Sequence, residues 1–142
     1  MQGGRHFEEV EVGEEALTPA RTVTEADLVT FAVLAGDHAF LDLSSRAGGP
    51  AAVPEFLALA LSSGLGFRVP QGQLPVLAFM GLEWRFLAPV RIGDTIRGRI
   101  RIAQKRELKA GGVVVEERAI LNQRGEVVQE GKITLMVAKR RP

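Results

Sequence analysis

Cysteine is absent from this chain of 142 residues, asparagine and tryptophan occur once each, and histidine occurs twice. Without thiols there are no disulfides, no thiolate metal ligands and no cysteine nucleophile, so any catalysis must use other groups. The two histidines, His6 and His38, have no partner at metal-ligand spacing, and no metal site is expected. Scarcity of Asn and Cys is compatible with a heat-adapted source. An excess of one charge is also missing: 18 basic residues face 17 acidic ones, for a net charge of +1. Most of the basic residues alternate with apolar ones, the pattern of a solvated sheet face, so no nucleic-acid partner is expected. The uncharged run Phe56 to Phe67 is interrupted by serines and glycines. It falls short of the roughly 20 apolar residues that span a bilayer, so no membrane segment is expected. The N-terminal "MQGGRHFEEVEVGEE" turns acidic at once and lacks the basic-then-apolar order of a signal peptide, which predicts a cytoplasmic protein.

What is present suits one sizeable core. With 46% hydrophobic and 25% charged residues, the whole of 1–142 is expected to form a single soluble domain. Residues 6 to 12, "HFEEVEV", alternate loosely and read as a lead-in segment packed on that domain. Thr22 and Val23 suit the end of a first strand. Thr24 followed three residues later by Asp27 forms a capping box, Leu28, Phe31, Ala32 and Ala35 keep helical spacing, and Gly36 is a natural stop, which predicts a helix over about 25 to 35. The Gly-, Ser- and Pro-rich stretch from Asp37 to Val53 is about 17 residues long, beyond the usual connection length and in the range of functional loops. Pro54 then opens a second helix at its first position, with Glu55 at the positive end of the helix dipole. From Phe56 to Leu65 this helix has no charge on any face, so it is expected to be enclosed on nearly all sides.

The second half supplies the cover. Segments 76–87, 95–108, 113–123 and 126–138 read as successive strands, and the short joints "KAGG" and "RG" make the last three an antiparallel meander. Ile96, Ile100 and Ile102 share one face while Arg97, Arg99 and Arg101 share the other, so one side of the sheet is buried and the other wet. Gly93 and Asp94 read as turn residues. Phe79, Trp84 and Phe86 read as core or interface.

An apolar helix wrapped by a long antiparallel sheet, with the motifs "FEEVEVGEE", "RTVTEADLVTFAVLAGD", "LALALSSGL", "MGLEWRFLAPVRIGDTI" and "LNQRGEVVQEG" in this order, resembles the MaoC-like dehydratases, which include (R)-specific enoyl-CoA hydratases. The resemblance spans almost the whole chain. It implies an α+β hot-dog fold and an acyl thioester of coenzyme A or of a carrier protein as substrate or ligand, with no other cofactor. It also implies hydration or dehydration across the α–β carbon bond in fatty acid metabolism. The expected partner is a second copy in a homodimer formed through the sheets, or an active hot-dog chain in a hetero-oligomer.

The family's catalytic pattern Gly-Asp-x-Asn-Pro-Leu-His falls here on Gly36, Asp37, His38, Ala39, Phe40, Leu41 and Asp42. Asp37 matches, but the histidine position holds Asp42, whose ordinary pKa near 4 lies far from that of an imidazole, about 6.5. Two close carboxylates can share one proton, so Asp37 and Asp42 are the candidate acid/base pair. His38, one place after Asp37, is a further candidate, set against a plain loop histidine. His6 reads as structural. Where the family has Ala-His-Gly before the buried helix, this chain has Val53, Pro54 and Glu55. Pro54 offers no amide hydrogen, and Glu55 places a negative charge where an oxyanion would form. Val53, Pro54, Glu55 and Phe56 are the candidate substrate-binding residues. Three readings follow: a hydratase or dehydratase with an altered or lost Asp/His pair, an acyl-CoA thioesterase using Glu55, and a non-catalytic acyl-CoA-binding or partner subunit.

Overall fold

The computed structural model of the chain describes residues 5–37 and 51–141. Phe7–Glu9 forms a 3-10 turn. It is followed by β1 (Glu15–Leu17), β2 (Arg21–Thr22), α1 (Glu25–Ala35), α2 (Glu55–Leu65), β3 (Val76–Phe86), β4 (Thr95–Glu107), β5 (Gly112–Leu121) and β6 (Val127–Val137). The sheet runs in the order β1-β4-β5-β6-β3, all neighbours antiparallel, with β2 also paired to β4. The predicted meander is β4-β5-β6. β3 pairs with β6, not with β4, so the connection from 87 to 94 carries the chain across the sheet.

The helix predicted over 25 to 35 has those limits because both ends are specified locally. Thr24 Oγ1 accepts from the Asp27 amide at 3.2 Å, and the Thr24 amide donates to the Asp27 carboxylate at 3.0 Å, satisfying two donors that a helix start leaves open. Gly36 ends the helix at φ 75°, a left-handed conformation that costs any side chain steric energy. Only Leu28 and Ala32 are fully buried on α1, while Val29, Val33 and Leu34 stay exposed. The lead-in segment is a 3-10 turn and not a strand. Phe7 and Val10 are buried, and Lys105 Nζ donates to their carbonyls at 3.1 and 2.7 Å while lying 4.4 Å from the Phe7 ring centroid. His6 belongs to this turn, its amide donating to the Glu9 carboxylate.

Pro54 is the cap of α2 and not its first residue, so the helix begins one residue later than predicted, because the Pro54 ψ of 138° is extended. Leu57, Ala58, Ser62 and Leu65 face the sheet, whereas Phe56, Ala60 and Gly64 are exposed. One side of the helix predicted to be enclosed is therefore open in the isolated chain. Two apolar clusters fill the concave side of the sheet. Val23, Val53, Leu57, Ala58, Val90, Ile96, Ile120 and Val128 form one. Phe7, Val10, Ile102, Val114, Ile133, Leu135 and Val137 form the other, and Trp84 packs against both. The outer face carries the arginines of β4, as predicted. Glu15, Arg101, Glu117, Lys132 and Glu83 lie side by side in register across five strands, alternating in sign.

Burial alone raises the Asp27 pKa, but hydrogen bonds from Thr24 and the Arg21 guanidinium outweigh it, and the pKa is lowered. The carboxylate therefore stabilises the fold above its unfolded pKa of about 3.9, and that contribution is lost as pH falls through the lower folded value. Replacing Thr24 by Ala is expected to cost about 1 kcal/mol in urea denaturation at neutral pH. The gap between Asp27→Asn and the natural chain should close as the pH is taken below 4.

Candidate functional site

The residues singled out in the sequence fall at the end of α1, at the start of α2 and in the segment between them. Phe31 of α1 packs on the cluster containing Val53 and Leu57, so the two helices are held together there by apolar contact. Asp37 follows the Gly36 cap, half-buried, and its amide donates to the Ala32 carbonyl at 2.9 Å. This 6→1 hydrogen bond fixes the Asp37 backbone to the helix end. His38 and Asp42 lie outside the described residues.

At α2, Val53 and Pro54 are buried, Val53 through its place in the core and its amide's 2.8 Å bond to the Val90 carbonyl. Glu55 and Phe56 are exposed. Among the described residues no side chain caps this helix and none accepts from the first-turn amides of Glu55 and Phe56, which add to the positive end of the dipole. The Glu55 carboxylate makes no ion pair or hydrogen bond among the described residues. Phe56 rests on Phe86 of β3, ring centroids 5.7 Å apart, leaving an apolar wall beside those donors. Backbone donors, a nearby carboxylate and an apolar wall can hold a thioester carbonyl and move a proton beside it.

Sequence reasoning missed the residue that sets this helix start. Gln129, 1% exposed, lies on the inner face of β6, where its Oε1 accepts from Trp84 Nε1 at 2.8 Å and its Nε2 donates to the Glu55 carbonyl at 3.0 Å. It was findable in principle, being a polar residue at an inward position of an otherwise apolar strand. Glu116 and Arg118 were missed for the same reason: they share the inner face of β5 with Val114 and Ile120. Arg118 Nη2 and Nε bond Glu116 Oε1 at 2.7 and 3.2 Å; Glu116 is buried and Arg118 mostly so. Among the described residues there is no group of three or more His, Asp or Glu that could hold a metal ion, and no helix long and apolar enough to cross a membrane.

A curved antiparallel sheet with an apolar helix on its concave face defines the α+β hot-dog class, and solved structures agree. The monoamine oxidase regulatory protein from Archaeoglobus fulgius superposes with a TM-score of 0.85 at 31% identity over 97% of each chain. The model of the MaoC like domain matches residues 7–123, and the chain belongs to that family. It is 30% identical to the (R)-specific enoyl-CoA hydratase of Rhodospirillum rubrum, over 95% of this chain and 93% of that one. It is 39% identical to Protein MaoC of Klebsiella aerogenes over 71% of this chain. That match spans only 31% of the Klebsiella protein.

Gln129→Leu keeps much of the volume but leaves the half-buried Trp84 indole N–H without its acceptor and removes the side-chain donor to the Glu55 carbonyl. It is expected to destabilise the fold by about 1–3 kcal/mol in urea denaturation.

Proposed function

We propose that this chain is a single hot-dog domain that binds an acyl thioester and acts as a hydratase or dehydratase through Asp37 and Asp42. The observation that carries the reading is the fixed place of Asp37 at the end of α1, with α1 packed through Phe31 on the cluster that holds the uncapped start of α2. Membership of the MaoC-like family and likeness to an enoyl-CoA hydratase over nearly the full chain support it.

In the hydration direction, one ionised carboxylate takes a proton from water as the hydroxyl oxygen bonds to the β-carbon. The other carboxyl, protonated at the start, gives its proton to the α-carbon. The pair thus begins and ends with one proton between two carboxylates, with the roles exchanged. The α2 amides of Glu55 and Phe56 take up the negative charge that develops on the thioester oxygen. A second reading has its own observation: Glu55 is an exposed carboxylate at that same helix start with no ion pair or hydrogen bond among the described residues, placed to promote attack of water on the thioester carbonyl itself.

One experiment separates these readings: the natural chain, Asp37→Asn and Glu55→Gln are assayed with an enoyl-CoA for both loss of the conjugated double bond and release of free thiol. Hydration should fall about a hundredfold to ten-thousandfold in Asp37→Asn, with KM little changed. Thiol release abolished only by Glu55→Gln would establish the thioesterase instead. Absence of both reactions in the natural protein would leave a binding or partner subunit.

The partner in this reading is a second copy, or a related hot-dog chain. β3 ends the sheet with an unpaired edge and exposes Leu77, Phe79, Met80, Leu82 and Phe86, Phe79 to 62%. A sheet edge this apolar invites pairing with another chain. Light scattering should give a dimer for the natural protein and a monomer for Leu82→Lys; a natural monomer would overturn the assignment.

A further inference from the structure

At the other end of α2, beyond Leu65, the helix and the sheet border a partly open cleft with a cavity volume of about 40 Å³. Its walls are largely apolar, with Phe67, Leu74, Phe79, Ile100 and Leu135 among them, and the ion-paired Arg5 and Glu14 line it together with Glu15. Glu116 and Arg118 also line it, on the inner face of β5 and surrounded by residues of the core. Glu116 is 3% exposed. Both bonds of this ion pair converge on Glu116 Oε1, so among the described residues Glu116 Oε2 and Arg118 Nη1 have no hydrogen-bond partner.

A pair of leucines at these positions would roughly match the side-chain volume and cost nothing in desolvation, and such replacements of buried ion pairs are often neutral or stabilising. Stability alone does not account for the pair. The open atoms are one acceptor and one donor on neighbouring groups whose charges cancel. A net anion or cation finds no surplus charge on this pair, whereas a hydroxyl, which donates and accepts at once, complements both atoms. Gly66 holds the guanidinium in place by close approach: a Cβ there would lie 2.8 Å from Arg118 Nη1.

We propose that this cleft selects acyl groups bearing a neutral hydroxyl, with the aliphatic chain along the apolar wall and the hydroxyl between Glu116 Oε2 and Arg118 Nη1. The inference rests on the acyl-thioester reading and names a substrate class within it. Glu116 and Arg118 act on specificity, without touching the reacting carbons.

The test is calorimetric binding of decanoyl-, dodecanoyl-, tetradecanoyl- and hexadecanoyl-CoA and their ω-hydroxy counterparts to the full-length protein. At the chain length that reaches the pair, the hydroxylated thioester is expected to bind at least about tenfold more tightly, since a site built to bond a hydroxyl penalises its absence. Glu116→Leu/Arg118→Leu should abolish or invert that preference while keeping affinity for the plain thioester. Gly66→Ala, which displaces the guanidinium without changing the pair, should reduce it. Equal affinity for both members at every length, or a preference that survives the double variant, overturns the inference. If no thioester binds, the acyl-thioester reading fails separately, and octane-1,8-diol against octan-1-ol tests the cleft alone. Preference for the diol that the double variant loses supports the cleft's selectivity, and no preference ends it.

Discussion

The structure is organised by the need to cover α2, an eleven-residue helix with Glu55 as its sole charge. A helix so apolar cannot face water on all sides, and a flat sheet reaches only one of its faces. The sheet therefore curves so that Leu57, Ala58, Ser62 and Leu65 are buried against it. Packing alone leaves the helix free to slide along the groove. Gln129 removes that freedom, because its amide bonds the indole of β3 at one end and the first carbonyl of α2 at the other. The helix start is thereby referenced to the centre of the sheet, and an oxyanion site built from its amides inherits that position. The exposed residues Phe56, Ala60 and Gly64 mark where a single copy's sheet runs out.

The two faces of the sheet treat charge in opposite ways. On the outer face, alternating neighbours in the row from Glu15 to Glu83 are screened by water, and each contributes little beyond register and solubility. On the inner face, Glu116 and Arg118 are held among aliphatic residues, where removing one partner alone would leave an uncompensated charge. The same residue types thus set pairing order on one side and selectivity on the other. What separates them is the parity of their position along β5.

Signals within a few residues of one another were legible in the sequence. The limits of α1 follow from Thr24, Asp27 and Gly36, each acting within one turn of itself. The alternation of Ile96, Ile100 and Ile102 with Arg97, Arg99 and Arg101 fixed the orientation of β4 before any contact was known. What depended on distant partners was not legible. The neighbour of β3 is β6 because the connection from Leu87 to Asp94 crosses the sheet, and nothing in that connection names its destination. Pro54 satisfies the rule for a first helical position, yet serves as cap because its ψ is set by the Val53 amide's bond to Val90 and the turn into Glu55. Gln129, Glu116 and Arg118 stand at inward positions of apolar strands, a local irregularity whose meaning depends on Glu55, Trp84 and Gly66, far away in the chain.

The two ends of α2 divide the work of recognition. At its start lie the first-turn amides that the proposed reaction would use; beyond its end lies the cleft with the Glu116–Arg118 pair. Eleven residues at about 1.5 Å each separate them by roughly 16 Å. A ligand engaging both must be long, or must enter from a second copy whose own α1 and α2 supply the reacting end. The open side of α2 and the bare edge of β3 lie on the surface that a second copy would cover. Assembly and substrate length are then linked, because the partner decides which helix start each cleft serves. In the proposed dimer of an active hydratase, a change confined to β3 would accordingly alter which acyl chains react, even with every group that moves a proton left intact.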